Sequence, residues 1–276
     1  GNTQRAIECT EQALAIAREI GDRRREGIAL GNLGIAHRAA GDPQQAITYH
    51  KQALAIAQEI GDRRGEGNAL GSLGGAFADL GELRQAIDYH ERALAIAREL
   101  GDRRGQGQSL GNLGTAYVDL GELRRAIGCH EQRLAIALEQ RDRRGESIAR
   151  GNLGNAYLLL GEPRRAIEYF RERLAIAKEI GDHRGEGIAQ GSLGRARVEL
   201  GEVAEAIMAH EAALLIRRSL TDIAGQGEAL SSLGRAYDAA GDHERGAAYH
   251  RQGIDLLRVP GSRQPLAAAL VDSAEN

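Results

Sequence analysis

The sequence contains no tryptophan, and aromatic residues make up only 3% of its 276 residues. It also has no apolar run close to the roughly 18 residues that a membrane-spanning helix needs, so it predicts no membrane span. Charge of one sign is not in large excess either, because the sequence has 36 basic and 39 acidic residues. A nucleic-acid-binding protein needs a basic patch. We therefore expect neither nucleic acid nor a membrane among the partners.

Lysine and cysteine each occur only twice. Neither Lys51 nor Lys178 follows a glycine, so the sequence has no P-loop lysine. Cys9 and Cys129 lie three repeats apart, and helices pack roughly 8–10 Å from one another. A disulfide needs Cα atoms within about 7 Å. We therefore expect both thiols to be reduced, which is typical of a cytoplasmic protein.

Glycine, in contrast, is abundant, with 37 residues. It recurs every forty residues, because blocks that start at Gly21 align with one another without gaps. Residues 1–20 match the second half of a block, and residues 261–276 start a seventh block that loses the pattern, as a degenerate C-terminal helix would. The period predicts a single repeat array over 1–276. Its full repeats are 21–60, 61–100, 101–140, 141–180, 181–220 and 221–260.

Each block contains two helical patterns. In the first, Leu30, Leu33 and Ala36 form one apolar stripe at helical spacing. The second spans about residues 43–60 and has a wider apolar face. A glycine such as Gly41 follows each pattern, where it would end the helix. No strand pattern occurs, so the sequence predicts an all-α protein.

Two glycines lie inside the first helix of nearly every block, at the positions of Gly31 and Gly34. Each should destabilise a helix by roughly 1 kcal/mol relative to alanine. Their recurrence predicts that something offsets this cost. We expect close contact between helices at both positions.

Five histidines share one repeat position and resemble a row of metal ligands. Phe170 fills the same position in another block, and exchange with an aromatic residue indicates packing. Side chains one repeat apart are also too distant to share an ion at roughly 2.0–2.1 Å. The sequence therefore predicts no metal site, no cofactor and no enzyme. The histidines are His50, His90, His130, His210 and His250.

The run from Leu30 to Leu54, with Leu33-Gly34, Gly41, Ala46-Ile47 and His50 between them, resembles the tetratricopeptide repeat. The phrases GNLGNAY (151–157) and LAIAKEIGD (174–182) resemble the forty-residue version in Pins-like G-protein-signalling modulators and bacterial homologues. The resemblance implies a right-handed α-solenoid of stacked helix-turn-helix repeats. It also implies that the first helices line a concave face, which binds the partner.

The positions expected on that face vary along the array while the apolar positions stay constant. We interpret this variation as specialisation for a partner, although neutral drift at exposed sites gives the same pattern. The sequence predicts an acidic middle and a basic C-terminal end, where Glu199 and Asp238 pair with the arginines. The candidate partner-binding residues are Asn68, Asp79, Gln108, Asp119, Asn155, Arg195, Glu199 and Arg235.

Arginine pairs recur at the start of the first helices, at 23–24, 63–64, 103–104 and 143–144. They could form a basic ridge for an acidic partner. We expect them instead to pair with nearby acids such as Asp62 and Glu66. Exposed pairs of this kind contribute little to stability.

These observations predict a non-enzymatic scaffold that binds a peptide or protein segment along the concave face. Resemblance to bacterial arrays implies the sensor arm of a larger protein, of which the chain would be a fragment. One alternative is a regulatory domain that responds to a peptide. The other is a structural module that forms a homo-oligomer through the half-repeat at 1–20, where we expect Ala13, Leu14 and Ile16 to be exposed.

Overall fold

A computed structural model of the chain describes the backbone of residues 2–258 and the side chains of residues 4–258. The predicted degenerate helix at 261–276 lies outside the described residues. Every regular element between residues 2 and 258 is an α-helix. These helices are α1 (Asn2–Glu19), α2 (Arg23–Ala39), α3 (Pro43–Glu59), α4 (Arg63–Asp79), α5 (Leu83–Glu99), α6 (Arg103–Asp119), α7 (Leu123–Glu139), α8 (Arg143–Leu159), α9 (Pro163–Glu179), α10 (His183–Glu199), α11 (Val203–Ser219), α12 (Ile223–Ala239) and α13 (His243–Leu257).

The chain divides into two compact units, unit 1 at 1–136 and unit 2 at 137–276. In unit 1, α2 packs on α3 and α4 on α5, and α2 and α4 also touch each other. Unit 2 repeats this arrangement with the hairpins α8–α9, α10–α11 and α12–α13, and α10 contacts both α8 and α12. Each unit is therefore an α-solenoid of stacked helical hairpins, which confirms the predicted fold class.

The helix ends follow from local sequence. Asp62 accepts a hydrogen bond from the backbone N–H of Gly65 at 2.9 Å and so caps the start of α4. Gly41 and Gly61 follow helix ends with φ of +84° and +68°, a conformation that suits glycine. Arg141 and Thr221 adopt the same conformation without being glycine, with φ of +54° and +52°.

The two helix-interior glycines have different surroundings. A Cβ atom added to Gly74, an equivalent of Gly34, would lie 2.5 Å from Cε1 of the His90 ring. At Gly31 an added Cβ would meet no atom within 4 Å. The predicted close contact is therefore confirmed at the Gly34 position. It is wrong at Gly31 itself, which faces open space, although the equivalents Gly111 and Gly151 lie against the side chains of Arg133 and Arg173.

The shared histidine position is a packing position, as predicted. His50, His90, His130, His210 and His250 are 1–7% exposed, and each ring lies against the glycine of the facing helix. Phe170 makes the same contact with Gly154. Among the described residues, no group of three or more histidine, cysteine or acidic side chains could hold a metal ion.

In three of the four arginine pairs, the first arginine contacts acids, as expected. Arg23 contacts Glu26 on its own helix and Glu59 at the end of α3, so it links the two helices of one hairpin. The same triplet recurs at Arg63 with Glu66 and Glu99, and at Arg143 with Glu146 and Glu179. The glutamates occupy these guanidinium groups, which leaves less free charge for a basic ridge.

The predicted exposure of α1 holds only in part. Ile16 is 58% exposed, and Ala13 is exposed as well. Leu14, however, is 7% exposed, because it belongs to the cluster that contains Leu30 and Leu33 of α2. The expectation for Leu14 was therefore wrong, since the helix that follows α1 covers it.

Candidate functional site

A groove of about 720 Å³ opens on unit 1, and we call it groove 1. Residues of α2, α4 and α6, the first helices of three blocks, form most of its lining, and α3 and α5 supply the rest. The sequence-predicted residues Asn68, Asp79, Gln108 and Asp119 all line it. The structure thus brings this half of the predicted site together.

Glycines form part of the surface of groove 1. Gly31 and Gly71 both line it, and neither would place an added Cβ closer than 4.0 Å to another residue. A side chain at Gly31 would therefore extend into the groove. Glycine at these positions keeps the groove open and leaves the helix backbone accessible along it.

Carboxamides line the same groove. Asn32, Asn68, Gln108 and Asn112 are exposed. Each carboxamide has both a donor and an acceptor for hydrogen bonds. Sequence reasoning missed Asn32 and Asn112, because it followed only the positions that differ most from block to block.

The predicted acidic character of groove 1 is only half present. Arg38 of α2 reaches Asp79 of α4, with its Nη2 atom 3.1 Å from Oδ1. This ion pair raises the pKa of the Arg38 guanidinium and offsets the charge of Asp79. Asp119 is exposed and lines the groove as a carboxylate. Ile28 and Ile35, 58% and 57% exposed, add apolar surface beside it.

A second groove, of about 700 Å³, opens on unit 2, and we call it groove 2. Its lining comes mainly from α10 and α12. Arginine is prominent in it, since four guanidinium groups line the groove and only two carboxylates do. The arginines are Arg184, Arg195, Arg217 and Arg235, and the acids are Asp222 and Glu228.

Arg195 connects the predicted residues of unit 2. Its Nη2 atom donates to Oγ of Ser192 at 3.2 Å and lies 3.4 Å from Oδ1 of Asn155 on α8. Burial lowers the pKa of Arg195, the positive charges of Arg235 and Arg217 lower it further, and the negative charge of Glu228 acts in the opposite direction. Arg235 donates in the same way to Ser232, at 3.3 Å. The two arginines thus line one groove, with Asn155 beside the first.

The two acids predicted to pair with these arginines, Glu199 and Asp238, are not among the residues that line groove 2. Glu199 is exposed on α10 and does not line groove 2. Asp238 lies against two histidines, with Oδ1 3.4 Å from Nδ1 of His243 and Oδ2 3.2 Å from Nε2 of His250. The sequence prediction for Asp238 did not include these histidines, which belong to α13.

Sequence reasoning missed Arg217, which lies on α11, the second helix of its block. Its side chain is 12% exposed and contacts Glu228 at 2.7 Å. A signal was nevertheless present, because Arg217 is the one charged residue at a position that is otherwise apolar. The equivalents are Ala57, Ala97, Ala137, Ala177 and Leu257.

These features support binding by hydrogen bonds and charge. Groove 1 combines carboxamides and apolar surface with both arginines and aspartates, whereas groove 2 has four guanidinium groups and two carboxylates. No described helix is long and apolar enough to cross a membrane.

The tetratricopeptide repeat is the family that matches this sequence. One profile of that repeat matches residues 1–59 and 65–139, and a second matches residues 149–184. A comparison with curated proteins gives no match. The finer likeness to Pins-like modulators stays a prediction.

Several solved structures are similar. A signal transduction ATPase with numerous domains (STAND) from Pyrococcus horikoshii, with a tetratricopeptide repeat sensor, is 19% identical, with a TM-score of 0.75 over 96% of this chain and 41% of that one. The apo form of RapI is 16% identical, with a TM-score of 0.75 over 97% and 94%. A Rap protein complexed with competence and sporulation factor is 14% identical, with a TM-score of 0.65 over 92% and 74%. At such identities the likeness shows the fold alone.

Proposed function

This chain belongs to the tetratricopeptide repeat family, and we propose that, as a protein-interaction module, it binds an extended peptide or protein segment in groove 1. The observation that carries this proposal is the lining of groove 1. It combines exposed carboxamides with accessible glycine positions in a volume of about 720 Å³.

The chemistry of this lining suits a peptide backbone. An extended segment carries unpaired N–H and C=O groups at regular intervals. The carboxamides of Asn68, Gln108 and Asn112 can each donate to a C=O and accept from an N–H. Because Asn68 lies on α4 and the other two lie on α6, a bound segment would touch more than one block. Ile28 would hold an apolar side chain of the ligand at the α2 end.

The proposal also includes the individual partner-binding residues and the biological setting that the sequence predicted. Of the predicted concave-face residues, Asn68, Asp79, Gln108 and Asp119 would bind the partner in groove 1 of unit 1. In unit 2, Arg195 and Arg235 would do so in groove 2, with Asn155 beside Arg195 and Glu199 at the rim of that groove. A sensor arm in a larger protein, or a domain that responds to a peptide, is the biological setting that the STAND sensor and the Rap complex suggest.

Selection from a displayed library of random twelve-residue peptides tests the role of groove 1. The wild-type chain should enrich peptides whose affinity falls at least tenfold with the triple variant Asn68→Ala/Gln108→Ala/Asn112→Ala. The variant removes three exposed carboxamides and should keep the wild-type helix content by circular dichroism.

The double variant Gln52→Ala/Arg84→Ala is the matched control, because both residues are exposed on second helices and neither lines groove 1. Peptides that bind in the groove should keep wild-type affinity for it. If selected peptides bind the triple variant and the wild type equally, groove 1 is not the binding site.

A second candidate function, self-association, rests on one exposed side chain of α1. Ile16 is 58% exposed, whereas its equivalents in the next four blocks are 4–7% exposed. A second copy of the chain could cover it, which would make the chain a structural module. Sedimentation velocity over a hundredfold concentration range should then show a mass increase that Ile16→Glu abolishes. A constant monomer mass for the wild type would exclude this function. The equivalents of Ile16 are Ile56, Ile96, Ile136 and Ile176.

A further inference from the structure

We propose that one face of α11 is a dimer interface, at which two copies of the chain pair their α11 helices antiparallel around a two-fold axis. This inference goes beyond the proposed function, because no residue of this face lines groove 1 or groove 2. It follows from an apolar stripe that the other second helices lack and from two charged residues beside that stripe. We call this surface the α11 face, and its residues are Ala204, Met208, Glu211, Ala212, Leu215 and Arg218.

The α11 face exposes two large apolar side chains. Leu215 is 70% exposed and Met208 is 67% exposed, the highest values among the large apolar residues that the structure describes. They lie seven residues apart, which is about two helical turns, so they share one stripe of the helix with Ala212 between them. Single exposed apolar residues are common, whereas a continuous apolar stripe indicates an interaction surface. The small side chains of Ala204 and Ala212 allow a second helix to approach this stripe closely.

The stripe is specific to α11. The position of Met208 holds threonine, aspartate, glycine and glutamate in α3, α5, α7 and α9, and alanine in α13. The position of Leu215 holds alanine in the first four of these helices and aspartate in α13. This position is exposed in every second helix from α3 to α13, so a leucine there does not help to pack its own hairpin. A contact outside the hairpin is the remaining use for it.

Two charged residues lie beside the stripe, on the side of α11 toward α13. Glu211 and Arg218 are also seven residues apart, so they occupy one edge of the helix, about 10 Å from each other along its axis. Burial is the main cause of the raised pKa of Tyr249 on α13, and the charge of Glu211 raises it further while that of Arg218 lowers it. Both charged side chains are exposed, and neither forms an ion pair within residues 4–258.

The order of these charges favours an antiparallel pair. A two-fold axis perpendicular to both helices places the same edge of the two copies side by side, with opposite directions. Glu211 of each copy then comes within reach of Arg218 of the other, and Leu215 of each lies near Met208 of the other. A parallel pair would place Glu211 beside Glu211 and Arg218 beside Arg218, and like charges repel. The α11 face is therefore complementary to itself, which favours a second copy as its partner.

Sedimentation velocity of the full chain over a hundredfold concentration range tests this interface. We expect a monomer–dimer equilibrium for the wild type, and Leu215→Glu should raise the dissociation constant at least tenfold. Ala175→Glu is the matched control, because Ala175 is exposed at the equivalent position of α9, and it should stay within twofold of the wild type. Both variants should keep the wild-type helix content by circular dichroism, since both side chains are exposed.

Charge reversal tests the antiparallel direction. Glu211→Arg and Arg218→Glu should each raise the dissociation constant at least fivefold, because each variant places like charges together at both ends of the pair. An equimolar mixture of the two variants should recover the wild-type dissociation constant, because every contact between the two different copies again joins opposite charges. Misfolding of a variant could not produce this recovery.

A wild type that stays monomeric over the whole range would overturn the inference, and so would equal dissociation constants for the wild type and Leu215→Glu. Charge reversals without effect would overturn the antiparallel pairing. Loss of the dimer in Ile16→Glu but not in Leu215→Glu would assign self-association to α1 instead. None of these results bears on the peptides selected through groove 1, whose loss in Asn68→Ala/Gln108→Ala/Asn112→Ala tests the proposed function separately.

Discussion

The buried histidines should make the fold sensitive to acid, and replacing His90 by phenylalanine should reduce that sensitivity. The His90 ring is 2% exposed, and its Nδ1 atom has no hydrogen-bond partner. Burial lowers its pKa to about 4, and the charge of Arg38 adds to this shift. Phenylalanine should fit in its place, because Phe170 occupies the same position against Gly154.

The size of the effect follows from the difference between the folded and unfolded pKa values. The folded state favours the neutral ring, so the stabilisation is fully present above pH 6.5, the pKa of the exposed ring. It is lost as the pH falls from 6.5 toward 4, because the unfolded chain takes up the proton first. Between pH 7 and pH 4.5 this loss amounts to about 2 kcal/mol per histidine. His50, His130 and His210 share the shift to about 4.

Urea unfolding followed by circular dichroism at pH 7 and pH 4.5 measures this difference. His90→Phe should lose about 2 kcal/mol less unfolding free energy between the two pH values than the wild type loses. The reverse substitution, Phe170→His, should increase the loss by a similar amount. Carboxylates titrate in all three proteins, so their contribution cancels in the comparison. An equal loss in the wild type and both variants would refute the reasoning.

Four further substitutions test local features of the fold by the same unfolding assay at pH 7. Gly31→Ala should stabilise α2 by about 1 kcal/mol, because its methyl group meets no neighbour, whereas Gly74→Ala should destabilise by about 1–3 kcal/mol, because its methyl group collides with His90. Arg141→Gly should stabilise by about 1 kcal/mol, because φ there is +54°. Glu82→Asp should stabilise by about 0.5 kcal/mol, because Glu82 makes no side-chain cap at α5.

Each of these substitutions has a control in the same chain. Gly31→Ala and Gly74→Ala control for each other, and equal effects would show that only helix propensity matters. Arg144→Gly, inside α8, should destabilise where Arg141→Gly stabilises. Asp42→Glu should destabilise, because Asp42 caps α3 by accepting the N–H of Gln45 at 3.0 Å. If Asp42→Glu and Glu82→Asp shift stability in the same direction, the capping argument fails.

The helices were predictable because the sequence patterns that indicate them, such as the apolar stripe and the glycine after the helix, recur from block to block. A single leucine stripe such as that of Leu30 and Leu33 could be misinterpreted, but the Leu33 position is leucine in all six blocks and the Leu30 position in four of them. The exchange of Phe170 with histidine predicted a packing position for the same reason. Local spacing was sufficient for these features, since an apolar stripe depends only on residues within its own helix.

The site was less predictable, because its electrostatics depend on distances between helices. Arg38 and Asp79 are 41 residues apart in the chain, yet they form an ion pair. Asp238 pairs with histidines of the following helix, which spacing along α12 does not reveal. Gly31 and Gly34 look equivalent in sequence, and only the neighbouring helix distinguishes the open position from the filled one.

At the open position of Gly31, a substitution can alter ligand recognition without altering helix packing, although the two usually change together in a protein. A side chain introduced there would change what the groove recognises without displacing a packed neighbour. The chain already contains one such exchange, at Ser231 on α12, which occupies the equivalent position and lines groove 2. The blocks with the open position, at Gly31, Gly71 and Gly191, therefore carry a site where ligand preference can change in one step while the hairpin stays intact. New specificities could accumulate block by block in this way.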